Sequence, residues 1–292
     1  MTSDLFARTR WIAVLVLLAS CSGSGPDGPS APGRRLLFVR IRDGRESIHL
    51  IRPPATAAQN LTDSLEGNER PAWAPDGSRI AFVSHRTGYA EIWLMDSLGG
   101  NQIQVTHDSA SAAWRPTWSP DGSTLAYGSD GTLRRVPADG SDSSILLASW
   151  LNYPAWNPHG NRIAASNGTV IFLIDPDGAN ATTANVHLGL AAGGPSWSPS
   201  GEQLVFWRVN QDGYHTIVVS DTARLFEHDL DSALSANHVV GAGDPTWSAD
   251  GIIAFVCEVD GDFDLCLIHP DGSHFQHLAT GPDADLEPAW AP

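Results

Sequence analysis

The chain has 292 residues, enough for one large domain or two small ones with a sizeable core. All 17 of its basic residues are arginine, which excludes Schiff-base and general-base lysine chemistry. A formal charge of −16 repels nucleic acid, whose binding depends on neutralised phosphates, and leaves no polybasic patch for a membrane surface.

The first predicted element is an address. In "ARTRWIAVLVLLASC" two arginines, Arg8 and Arg10, precede an apolar run over residues 11–20. That run is shorter than the roughly 20 residues a spanning helix needs, and it has the pattern of a secretory signal. "LASC" (18–21) resembles the lipobox of bacterial lipoproteins, which implies cleavage before Cys21 and lipidation of its sulfur. Residues 1–20 are therefore expected to be a signal peptide. Residues 21–33, with "SGSGPDGPSAPG" at 22–33, are expected to form a lipidated, flexible tether. The expected location is extracytoplasmic, on a bacterial membrane facing the periplasm or the cell surface.

From Arg34 onward the chain repeats itself. Pro-x-Trp recurs with tryptophans at Trp73, Trp118, Trp156, Trp197, Trp247 and Trp290, spaced by 38 to 50 residues as in a propeller blade. Within one period, "APDG" turns, "SRIAFVSH" and "EIWLMD" have strand length and β-branched character, and "QIQVTH" alternates. That makes four strands per period, with no space for a helix. The continuous apolar runs suit sheets buried on both faces. The last copy, "EPAWAP", stops after one strand, and the body begins with three unpaired strands, "RRLLFVRI", "SIHLIRPP" and "AQNLTD". The two ends complete one blade, which predicts an all-β, six-bladed β-propeller over 34–292 with no free sheet edge.

The repeat resembles the TolB family, in which Pro-x-Trp-Ser-Pro-Asp-Gly is followed by Ile-Ala-Phe, a hairpin, Ile-Tyr, Asp and Leu-Thr. Residues 71–106 carry "PAWAPDGSRIAF", "EIW", Asp96 and "VT". The resemblance implies a propeller that makes protein–protein contacts at the cell envelope. Family members also carry an α/β domain before the propeller, and none is expected here ahead of the tether.

No G-x-S-x-G, H-E-x-x-H, C-x-x-C or phosphate loop is present, so neither a cofactor nor a catalytic constellation is expected. His269, His274 and His277 straddle a turn and read as loop histidines. Asp260, Asp262 and Asp264 lack the glycine and the glutamate of a calcium loop, so no metal is assigned to them. Cys257 and Cys266 flank "CEVDGDFDLC". With Gly261 and Asp262 at the tip they would face each other directly, close enough for a disulfide, the alternative being two free thiols.

The residues before each Pro-x-Trp are Arg70, Arg115, Tyr153, Gly194, Asp244 and Glu287. They are expected on the loops that ring one channel mouth, with Trp114, Trp150 and Asn152 just upstream. Two arginines would form a basic arc, and Asp244 with Glu287 an acidic arc facing it. Such a rim suits a peptide or protein ligand bearing both charges. The hairpins near Tyr153, "YGSDGTL" and "ASNGTV", are short and predict a low side of the rim, against longer hairpins in the other blades. The second function class is a propeller enzyme, a polysaccharide lyase or glycosidase acting through Asp244 and Glu287 at the mouth.

Overall fold

The computed structural model of the chain describes residues 34–292, apart from 56, 64–66, 108–110, 142, 185–190, 223–226 and 279–281. The signal peptide, Cys21 and the tether lie outside the described residues.

Each repeat folds as one blade, a four-stranded antiparallel sheet. The N-terminal segment supplies β1 (Leu36–Arg42), β2 (Arg45–Ile51) and β3 (Gln59–Asn60) to blade one. Blade two holds β4 (Asn68–Trp73), β5 (Arg79–Ser84), β6 (Glu91–Asp96) and β7 (Ile103–Gln104). Blade three holds β8 (Ala113–Trp118), β9 (Thr124–Ser129), β10 (Thr132–Pro137) and β11 (Ile145–Ser149). Blade four holds β12 (Asn152–Trp156), β13 (Ile163–Ser166), β14 (Ile171–Ile174) and β15 (Thr182–Thr183). Blade five holds β16 (Ala192–Trp197), β17 (Gln203–Val209), β18 (His215–Asp221) and β19 (Glu227–Asp229), followed by a helix, α1 (Asp231–Ala236). Blade six holds β20 (Gly241–Trp247), β21 (Ile253–Val259), β22 (Asp262–Ile268) and β23 (Gln276–Leu278). The final strand, β24 (Ala284–Trp290), joins blade one beside β1, giving the order β24-β1-β2-β3 and closing the ring.

The core lies between blades. Leu37, Val39, Ile48 and Leu50 of blade one pack on Ile80, Phe82 and Met95 of blade two. Leu36, Phe38 and Ile51 pack on Ala254, Leu265 and Leu267 of blade six. The same layering repeats around the ring, one apolar layer for each pair of neighbours. This is why the second and third strands are apolar on both faces, with each fully buried large side chain contributing about 1.5–3 kcal/mol.

The repeated tryptophan wedges into this layer. Trp118 donates its indole N–H to the Ala72 carbonyl of the preceding blade at 3.1 Å, and Trp197 does the same to Ala155 at 3.0 Å. The turn that follows is fixed locally: the Gly77 amide bonds the Ala74 carbonyl at 2.8 Å, and the Asp76 carboxylate accepts from the Ser78 amide at 3.0 Å. Asp121 and Ser123 repeat the bond at 3.1 Å. The Ser78 amide holds the Asp76 carboxyl, and the Ser119 hydroxyl followed by the Ser123 amide holds the Asp121 carboxyl, below the usual carboxylate range. Pro-x-Trp-x-Pro-Asp-Gly is thus scaffold chemistry, a wedge followed by a capped turn.

Three expectations are corrected. The period between Trp197 and Trp247 does contain a helix, α1, seated by buried Leu230 and Leu234 on the apolar layer between blades five and six. The hairpins of blades one and six have two-residue tips like that of blade three: Asp43–Gly44, Asp260–Gly261 and Asp130–Gly131 all have positive φ at both residues. That backbone is the tight antiparallel turn Asp-Gly favours. The unevenness of the rim comes instead from strand length, since β13 has four residues where β17 and β21 have seven.

The same tip shifts the cysteines. Val259 pairs with Asp262, so Cys257 opposes Asp264 and Cys266 opposes Phe255. The cysteines are diagonal, not directly opposite, and their Sγ atoms are bonded across a Cα separation of 5.8 Å.

Candidate functional site

Proline has no N–H to give a sheet ladder, so each Pro-x-Trp forces an irregularity in an innermost strand. In β4 the pairing passes from Glu69–Val83 to Ala72–Ala81, leaving Arg70 and Pro71 opposite Phe82 alone. This is a β-bulge, and it recurs in the other five blades. The residue before each proline takes a left-handed backbone: φ is 53° at Arg70, 52° at Arg115, 54° at Tyr153, 59° at Gly194, 45° at Asp244 and 54° at Glu287. Five of these are not glycine, so the sheet holds them in a strained region. The six residues line the channel mouth from within the strands, not from the entering loops as the sequence pattern predicts.

Their charges are not two facing arcs. They cross the mouth and pair. Arg70 Nε stands 2.6 Å from the Glu287 carboxylate, and Arg70 Nη1 3.1 Å from Asp244. Arg115 Nη2 reaches Asp244 at 2.8 Å from the opposite side of the ring. The Arg70 amide also donates to Glu287 at 2.6 Å. These pairings engage the charges across the mouth and leave no basic arc facing an acidic one. Ring closure is the physical reason, since it sets oppositely charged, desolvated side chains within bonding distance.

Burial raises the Glu287 carboxyl to about 7, more than Arg70 lowers it. Burial also acts on Asp244, but Arg115 and Arg70 outweigh it and hold Asp244 below its ordinary value. A carboxyl raised in the folded state keeps a proton that the unfolded chain releases. Stability is therefore expected to fall by about 3 kcal/mol as pH rises from 4.5 to about 7. Glu287→Gln should remove that slope in urea unfolding curves taken across the range. Parallel curves for the two proteins would refute the assignment.

Around this plug stand the other predicted residues. The Arg115 guanidinium lies over the Tyr153 ring at 4.3 Å. Gly128, having no side chain, admits the Asn152 amide, whose Oδ1 lies 2.6 Å from where a Cβ would sit. Trp114, Arg115, Asn152, Tyr153 and Asp130 border a cavity of about 260 Å³. Trp150 is not among the residues that border it; it stands edge-on to Phe172 of β14 at 5.1 Å and is more than half exposed. Trp114 contacts His85 at 5.8 Å, and His85 Nε2 is 2.9 Å from Glu69. His85 and Glu69 are missed by the sequence pattern although both belong to blade two, Glu69 one residue before Arg70 in β4 and His85 just past the end of β5.

Among the described residues, all five exposed large aromatic side chains lie at the mouth face: Tyr89, Trp114, Trp150, Tyr214 and Phe263. The opposite face carries the capped Asp turns instead. Asp260, Asp262 and Asp264 do not converge, because Asp264 is buried and turned to His277 Nε2 at 2.9 Å. Cys257, Cys266 and His277 are close enough to hold a metal ion, but the disulfide occupies both sulfurs.

Residues 26–163 match the family model described as the TolB beta propeller domain. The TolB homolog of Chlorobium luteolum is 37% identical over 60 residues, covering 20% of this chain and 14% of that protein. The Tol-Pal system protein TolB of Syntrophotalea carbinolica is 34% identical over 67 residues, covering 23% of this chain and 16% of that protein. The matched stretches are thus a small part of those relatives' length. TolB from Acinetobacter baumannii superposes with a TM-score of 0.75 at 16% identity, over 89% of this chain and 67% of that one, which is a likeness of fold. With six closed blades and a Pro-x-Trp bulge in each, the chain is a six-bladed β-propeller similar to the TolB beta propeller domain.

Proposed function

We propose that this chain is a lipid-anchored binding module of a bacterial cell envelope, taking a protein or peptide partner on its mouth face. The observation that carries the reading is the gathering of every described exposed large aromatic on that face. Exposed tryptophan and tyrosine beside arginine is the composition of interface hot spots. The lipobox-like "LASC" and relatives named for the Tol-Pal system support the envelope setting.

The test is affinity capture of a partner from envelope extract, followed by titration. Trp114→Ala with Trp150→Ala should weaken capture about tenfold or more. Asp76→Asn and Asp121→Asn on the opposite face should leave it unchanged, and the reverse outcome would move the site there. Cys21→Ser should release the protein into the soluble fraction; an unchanged membrane fraction would remove lipid as its tether.

A second reading, carbohydrate cleavage at the mouth, draws on Asp244 and Glu287. Their environments push them in opposite directions, as in an acid–base pair. Turnover of a polysaccharide panel that Glu287→Gln abolishes would favour it. No turnover by the wild type would dismiss it.

A further inference from the structure

Across the mouth from Trp114 and Trp150, a groove of about 390 Å³ runs over the start of β20 between blades five and six. Its floor is Gly241-Ala242-Gly243, where the absent side chains open the passage. A Cβ placed on Gly243 would meet nothing within 4 Å. Tyr214 borders it from the β17–β18 hairpin and Phe263 from the start of β22, both exposed, with Val240 exposed between them in sequence. None of these residues is singled out by the Pro-x-Trp repeat.

The charge of this groove has one sign. Glu258 lines it, and Asp212, Asp260 and Asp262 are exposed on the two hairpins that flank it. No arginine lines it. Arg208 of blade five is engaged by Glu227 and Asp229. Unlike Asp244 at the plug, these four carboxylates have no cationic partner among the described residues.

We infer that this groove binds a basic, extended segment of a partner polypeptide, an inference that rests on the mouth-face reading above. An arginine or lysine of that segment lies against the Tyr214 and Phe263 rings with its charge at Glu258, where ring quadrupole and carboxylate attract it together. A neighbouring apolar side chain covers Val240 and Val256. The glycine floor lets the partner's backbone approach closely, which a side chain at Gly243 would prevent.

The probes are a short peptide of alternating arginine and leucine and its glutamate–leucine counterpart, titrated calorimetrically at physiological salt. The arginine peptide should bind about tenfold tighter or better, and both Gly243→Leu and Phe263→Ala should weaken it about tenfold. The backbone at Gly243 is not left-handed and the space above it is open, so the leucine leaves the fold intact. Asp76→Asn with Asp121→Asn, on the opposite face, should leave arginine-peptide binding unchanged. Equal affinity for the two peptides, or equal binding of the arginine peptide by wild type and Gly243→Leu, would overturn the inference; the latter would mark a general pull toward an acidic protein. Failure of the groove inference alone would show as arginine-peptide binding unchanged in Gly243→Leu and Phe263→Ala, with envelope capture still weakened in the tryptophan variants. Failure of the mouth-face reading would show as capture unchanged in all of them.

Discussion

Deleting residues 284–292 is expected to abolish cooperative folding. That segment is β24, which pairs with β1 from Leu36–Trp290 to Ile41–Ala284. Its removal uncovers Leu36, Leu37 and Phe38, all fully buried, and takes Trp290 out of the layer between blades six and one. β1 becomes a bare edge carrying apolar side chains, the template for association with other chains. Losing several fully buried side chains at about 1.5–3 kcal/mol each consumes most of a typical domain stability of about 5–15 kcal/mol. The truncated protein should show no single thermal transition by circular dichroism and should bind a hydrophobic dye. Removal of Pro292 alone should preserve the transition. A sharp transition near the wild-type temperature in the long truncation would mean that the ring does not depend on its closing strand.

The second large effect is expected at Asp285→Ala. Asp285 is fully buried and directly opposite Arg40 in the β1–β24 ladder. Its two oxygens accept from Arg40 Nε at 2.8 Å and Arg40 Nη2 at 2.9 Å. Burial raises the Asp285 carboxyl above its ordinary value even with Arg40 drawing it down, so the site is poorly solvated. Removing the carboxylate strips a buried guanidinium of its bidentate partner, a change that costs about 3–5 kcal/mol. Replacing both members, Arg40→Met with Asp285→Leu, should cost less, because no charge is left behind. Urea denaturation of the two variants decides it. If the double variant is as unstable as the single one, packing and not charge is what the pair supplies.

Most of the ring could be read from the amino-acid order because each blade is a local object. Trp73 and the Asp76–Gly77 turn are set by neighbours within a few residues, and "EPAWAP" against "RRLLFVRI" shows which strand each end lacks. Three things escaped for the opposite reason. Arg115 and Asp244 meet only because six blades close into a circle, so their pairing across the mouth is invisible to spacing. The two-residue shift in the partner of Cys257, from Cys266 to Asp264, came from placing the tip at Gly261–Asp262, although Asp260–Gly261 satisfies the left-handed turn better. The helix α1 hid inside the longest period, where Leu230 and Leu234 look like one more strand. The exposed aromatics were half legible: Trp114 and Trp150 border a repeat, while Tyr214 and Phe263 are hairpin residues without a shared pattern.

The bulge before each proline also separates two kinds of information. Proline, tryptophan and the turn must be nearly alike in every blade, because they build the layers between blades. The residue ahead of them faces the channel and contributes nothing to those layers. It is accordingly Arg, Arg, Tyr, Gly, Asp and Glu in the six copies of this one chain. The ring behaves as a fixed alphabet with six writable positions, and rewriting them changes what the mouth says while the apolar layers between blades keep their residues.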